Sequence, residues 1–283
     1  PKPFPLPFKI LTIGLKSIYL NKIYNKKRQK ILKKQMVTDQ NSFKKTVLDN
    51  GIRVLSEEIP YVRSVSIGVW ITVGSRDENE EINGITHLIE HMVFKGTEKR
   101  NARIIAQSLE SVGGYLNAFT SKEHTCYYAR ILDEHIEKAV DVLSDLILHP
   151  KFDRKELEKE KTVVLEELKN YEDEPDEIIH DEFEKVLFQP HPLGYNILGT
   201  RETLKAFNRN KLSEYKEKHY TSDNIIICAA GNINHEKLVD LANKYFKELK
   251  KVKNGYKRSS PKPKKKGTKI EVLKPIQQAH LCY

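Results

Sequence analysis

A chain of 283 residues, 39% hydrophobic and 31% charged, has an ordinary globular make-up and can bury one good core, or one domain and part of another. Its formal charge of +10 loses its meaning as a nucleic-acid signal once located. Residues 1–35 hold ten Lys or Arg and no acid, leaving 39 basic and 39 acidic residues elsewhere, so the folded part has no electrostatic case for binding DNA or RNA. The three cysteines (Cys126, Cys228 and Cys282) are far apart and lack C-x-x-C spacing, which excludes a disulfide framework and points to a reducing compartment.

In chain order, residues 1–43 form a basic extension with no run long enough to span a bilayer. Residues 1–35 admit three readings. One is a targeting presequence, basic and acid-free. Another is a membrane-surface segment with Phe8, Ile10, Leu11, Ile13 and Leu15 on its apolar side. The third, favoured here, is sequence that is not native, with Met36 as the natural start.

Folded structure is expected from Lys44 to Lys250. Thr46–Leu48 and Ile52–Leu55 read as a hairpin, with Asn50-Gly51 suited to a type I′ turn. Ser64–Val73 alternates as a half-buried strand does. A helix carrying His87 to His91 follows and stops near Gly96, and a second spans Ala102–Val112. Tyr115–Thr120 and Thr125–Leu132 read as strands joined by a polar turn. Helices are then expected over Glu134–Leu148, Arg154–Tyr171, Pro175–Leu187 and Thr203–His219. Asn224–Ala230 follows as an apolar strand and His235–Lys250 as a last helix. Grouped strands, then helices, then a returning strand predict an α+β fold with a mainly antiparallel sheet packed against helices. Residues 251–268 read as a basic linker. Lys269–Leu273 reads as the first strand of a second domain, truncated within 269–283.

The chemistry is concentrated in His87-Leu88-Ile89-Glu90-His91. Histidines four apart differ by about 40° around a helix, and Glu90 falls within the same arc of roughly 100°. Two such imidazoles can hold one Zn²⁺, leaving the carboxylate beside the metal to take a proton from bound water. The order H-x-x-E-H inverts the H-E-x-x-H metallopeptidase pattern. With ten histidines in 283 residues, chance alone yields it about 0.03 times.

A catalytic zinc site takes a third protein ligand besides water. The helix expected over Arg154–Tyr171 offers Glu156, Glu158, Glu160, Glu166 and Glu167. Val163, Val164, Leu165 and Leu168 mark its expected buried side, with Glu160, Val164 and Glu167 along one stripe. A carboxylate beside an apolar stripe needs a partner, which a metal cation would supply. Periodicity alone leaves Glu160, Glu166 and Glu167 in contention.

Several motifs, in order, carry a family resemblance covering Lys44 to Leu281. They are Leu48–Val54, Gly84–Met92 with Phe94–Thr97, Gly113–Thr120 with Glu123–Thr125, and Glu160–Glu167 continuing to Asp176. The chain resembles the pitrilysin-type metallopeptidases, and within them the shorter processing-peptidase-like members. The resemblance implies His87, His91 and Glu167 as the ligands of one zinc ion per chain and Glu90 as general base. Glu160 then matches a supporting acid, with Glu166 as fallback ligand. It also implies an edge strand on which Asn117, Ala118 and Phe119 meet an extended peptide through its backbone. Gln277–Leu281 resembles the first strand of a second, similar domain closing the cleft, without which cleavage should be weak or absent.

The expected function is therefore a zinc endopeptidase acting on extended peptides or unfolded segments. The alternative is a non-catalytic structural subunit of a processing-peptidase-like complex. A homo- or hetero-dimer is compatible with either, and neither nucleic acid nor a transmembrane segment is expected. The expected location is the bacterial cytoplasm, or the mitochondrial matrix or another organelle if residues 1–35 are a presequence.

Overall fold

Six strands with alternating small or polar and apolar residues need one covered face, and the structure covers it with helices. The computed structural model describes residues 43–249, 251, 258–262, 267, 269–274 and 278–283. The basic extension expected over residues 1–43 lies outside them save for Phe43, as does part of the linker. The strands are β1 (Phe43–Val47), β2 (Arg53–Glu58), β3 (Ser64–Ile71), β4 (Tyr115–Thr120), β5 (Thr125–Leu132) and β6 (Ile225–Gly231). They form a single sheet in the order β1-β2-β6-β3-β5-β4. Every pairing is antiparallel except β2 with β6. The α+β, mainly antiparallel architecture is the one expected.

Eight α-helices are described: α1 (Ile85–Val93), α2 (Ala102–Glu110), α3 (Ile136–Leu148), α4 (Arg154–Glu172), α5 (Pro175–Phe188), α6 (Arg201–Ala206), α7 (Arg209–His219) and α8 (His235–Tyr245). Their apolar sides join Val65, Ile67, Val69 and Ile71 of β3, Tyr127 and Ala129 of β5, and Ile225 and Ile227 of β6 in one core. β6 returns late in the chain yet lies between β2 and β3, so the core closes only when residues near 225 meet residues near 55 and 70. No described helix is long and apolar enough to cross a membrane.

Four details differ from the sequence expectation. The β1–β2 turn is not type I′: Gly51 N–H donates to the Leu48 carbonyl at 2.8 Å, and Gly51 but not Asn50 has positive φ. A type I turn over Asp49-Asn50 followed by a left-handed glycine fits this pattern. The helix expected over Thr203–His219 is two helices. Phe207 is extended and fully buried between them, and Asn208 caps the second by accepting from Lys211 N–H. On α4 the buried stripe is Leu157, Glu160, Lys161, Val164 and Leu168, while Val163 faces solvent. Lys269–Leu273 lies in no strand. Its Ile270, Val272 and Leu273 are exposed, and among the described residues no strand pairs with it.

Helix α1 is anchored at its start. Gly84, at φ +92°, comes so close to Gly199 that an added Cβ would lie 2.7 Å from the Gly199 Cα and the Leu198 carbonyl oxygen. The buried carboxylate of Glu78 accepts from the N–H groups of Gly84 (2.8 Å) and Thr86 (2.9 Å) and from Asn83 Nδ2 (3.0 Å). These donors include first-turn amides that the helix itself leaves unpaired, and an anion there suits the helix dipole.

Gly84→Ala is expected to lower unfolding stability by about 2–4 kcal/mol, combining left-handed strain with a backbone clash. Urea denaturation showing a loss below about 1 kcal/mol would contradict this close approach. Burial pushes the Glu78 carboxyl up to about 7, although its N–H donors pull it back. The native state therefore holds this proton more tightly than the unfolded chain does. That contribution, about 3 kcal/mol, is complete below the ordinary carboxyl value and is lost as pH rises through about 7. Subtracting the stability–pH curve of Glu78→Gln from that of the wild type should reveal this slope between pH 5 and 7.

Candidate metal centre

Helix α1 turns one apolar stripe into the core: Ile85, Leu88, Ile89, Met92 and Val93 are each at most 1% exposed. Its polar residues therefore sit where neighbouring elements meet it. His87 and His91, one turn apart, have ring centroids 4.6 Å from each other. Helix α4 packs across α1 and brings Glu167 between them. Glu167 Oε1 lies 3.9 Å from His87 Nε2, and Oε2 lies 3.6 Å from His91 Nε2. One ligand atom from each of these three residues falls within 4.8 Å of the others, the sole such group among the described residues.

Donors bonded at 2.0–2.1 Å to one tetrahedral ion stand about 3.4 Å apart. The two separations from Glu167 are slightly wider, and two imidazoles with one carboxylate are a donor set that suits catalytic zinc. The residues present thus fit the metal. Burial, with the neighbouring His91, pushes the His87 imidazole down to about 3, which keeps it neutral with a lone pair for ligation. Glu166, exposed as Glu167 also is, belongs to no such group.

Glu90 projects from α1 toward the end of β4, where Thr120 Oγ1 donates to its Oε2 at 2.5 Å. Burial raises the Glu90 carboxyl above its ordinary value, with a further push from Glu167. The Thr120 hydrogen bond and His91 act the other way. Behind the pair, Glu160 on α4 is only 4% exposed. Its Oε1 lies 3.1 Å from His91 Nδ1 and its Oε2 lies 2.7 Å from Lys95 Nζ. His87 Nδ1 is buried with no hydrogen-bond partner. One imidazole is therefore held by a carboxylate and the other by packing.

The three residues expected to meet a peptide lie on β4, at the free edge of the sheet. Alternation divides them. Ala118, like Leu116, packs against the core, whereas the Phe119 ring turns to the other face beside Trp70 and Tyr128. Asn117 is exposed, and its Oδ1 accepts from Ala118 N–H at 2.8 Å. Sequence reasoning missed Thr120 and Lys95. Both carried a signal: Lys95 follows His91 by one further helical turn, and Thr120 shares the strand face of Ala118.

Residues 53–201 match the family model "Insulinase (Peptidase family M16)", and residues 206–283 match "Peptidase M16 inactive domain". The chain is 49% identical over 239 residues to "Uncharacterized zinc protease YmxG" of Bacillus subtilis, covering 84% of this chain and 58% of that protein. It is 41% identical over 204 residues to "Probable mitochondrial-processing peptidase subunit beta, mitochondrial" of Arabidopsis thaliana, covering 72% of this chain and 38% of that protein. The chain thus spans about half the length of the curated relatives it matches. Among solved structures, a protease from Helicobacter pylori shares the fold, with a TM-score of 0.71 at 24% identity. That match covers 78% of this chain and 54% of the other. A peptidase M16 inactive domain from Pseudomonas fluorescens has a TM-score of 0.73 at 20% identity, over 79% and 55% of the two chains. The inverted motif on a buried helix, the carboxylate facing it from α4 and the matching family model lead to one conclusion: the chain belongs to peptidase family M16, the insulinase or pitrilysin-type family.

Proposed function

We infer that this chain carries the zinc centre of a metalloendopeptidase acting on extended peptides or unfolded segments. His87, His91 and Glu167 are its ligands for one Zn²⁺ and Glu90 is its general base. The observation that carries this reading is the approach of Glu167 to both Nε2 atoms, beside a carboxylate with one oxygen tied to Thr120. The names of the bacterial relatives, which are zinc proteases, agree with it.

Zinc, when bound, would acidify a water molecule and polarise a peptide carbonyl. Glu90 then has two tasks. Its Oε1, the oxygen not held by Thr120, takes the proton from water and passes it to the departing amine. Burial suits Glu90 to the first task, because a carboxylate whose conjugate acid is weakened by desolvation is the stronger base. The free edge of β4 lets a peptide add as a further strand, so binding draws on main-chain hydrogen bonds more than on particular side chains. Asn117 and Ala118 are the backbone partners in this scheme. Phe119, whose side chain shares the sheet face of Asn117, completes the stretch of edge along which the peptide adds.

In the full-length protein, Glu90→Gln is expected to retain zinc by elemental analysis while kcat falls by about 10²–10⁴-fold. Wild-type turnover by the purified variant would dismiss Glu90 as the base. Glu167→Gln is expected to lose zinc and Glu166→Gln to keep it, and the reverse pattern would move the third ligand by one residue. We further propose that the cleft is completed by polypeptide corresponding to the rest of the relatives' length. Adding that polypeptide to this chain should raise peptide cleavage, and no gain on mixing would count against a shared cleft.

A further inference from the structure

The motif helix presents three polar groups one turn apart along one face: His87, His91 and Lys95. The first two meet Glu167. The third does not. Lys95 lies just past the end of α1, its N–H bonded to the Met92 carbonyl at 3.1 Å, and its ammonium turns back to Glu160 Oε2 at 2.7 Å. Glu160 is almost wholly buried, and its second oxygen faces His91 Nδ1 at 3.1 Å.

A buried carboxylate without a charge partner would be strongly unfavourable, so the ammonium accounts for the acid's place in the core. The pair also has a direction. With Oε2 tied to Lys95, Oε1 can hold His91 Nδ1, so the Nε2 lone pair faces Glu167. A ligand histidine whose other nitrogen is bound by a carboxylate has its ring orientation and tautomer set in this way. His87 has no such support, so the polar restraint on the centre enters from the His91 side.

We propose that Lys95 is a positioning residue of the metal centre, acting through Glu160 to hold His91 in its ligating orientation. This rests on the zinc-centre reading above. It makes a prediction of unusual sign. A cation beside a cation site repels on Coulomb grounds, so removing Lys95 should tighten zinc binding if charge alone mattered. Positioning requires the opposite.

The test is Zn²⁺ affinity, measured on this chain by competition with a chromogenic chelator, with thermal melting of each metal-free variant alongside. Lys95→Met is expected to weaken binding about tenfold, within the range for groups that orient a ligand, and Lys95→Arg to restore it. Glu160→Gln should weaken binding at least as much. Adding Lys95→Met to Glu160→Gln should then change affinity less than twofold, because the two act in series. Tighter or unchanged binding by Lys95→Met overturns the proposal, as does independent addition of the two effects. If Lys95→Met fails to fold, Lys95→Gln enters the same cycle with the same expectations. The underlying reading fails in a different way: wild-type chain that binds no zinc, or binding indifferent to Glu167→Gln, removes the centre itself and this role with it.

Discussion

Helix α1 is enclosed on nearly every side, and everything the site does depends on that enclosure. Leu88 and Ile89 are fully buried, the Gly84–Gly199 approach closes its start, and the Glu78 carboxylate occupies its first-turn amides. A helix with one face open to solvent can rotate or slide at modest cost. A helix enclosed on nearly every side cannot, because any rotation would drive packed side chains into their neighbours. The directions of His87, Glu90 and His91 are therefore set by the core rather than by contacts within the site.

That rigidity allows an arrangement that would otherwise be unfavourable. Glu90, Glu160 and Glu167 converge on two imidazoles, and among the described residues Lys95 is the cation paired with them. Burial disfavours the charged form of each enclosed group, and the shifts of Glu90 upward and His87 downward register that cost first, with the neighbouring Glu167 adding to the one and His91 to the other. A dication placed among the three facing donors would offset it. The same features that make the cluster costly by itself make it receptive to metal.

The hydrogen-bond pattern around the cluster is uneven. His91 is held through Glu160 and Lys95, Glu90 through Thr120 on the edge strand, and His87 by packing. The Thr120 contact is notable for where it comes from. The strand that would receive a peptide also grips the base, so substrate position and base position share one rigid element.

Much of this was legible in the sequence. Strands β4 and β5 follow their alternation with the bounds expected, and the H-x-x-E-H spacing defines one helix face whatever surrounds it, since both are local periodicities. Departures came where a long-range contact overrode a local preference. Phe207 leaves the helical path because the core takes its side chain, splitting one periodic segment in two. Asn50 avoids the left-handed turn its dipeptide favours, and its Nδ2 instead reaches the Phe246 carbonyl at 3.2 Å. By itself the sequence determined which residues could form a metal site and narrowed the third ligand to Glu160, Glu166 and Glu167 on one helix. Only the tertiary structure divided those three, because the crossing of α4 over α1 decides which carboxylate faces Nε2, which lies behind Nδ1 and which meets neither ring. A crossing between elements some 70 residues apart depends on the shape of both surfaces at once, and no local pattern encodes it.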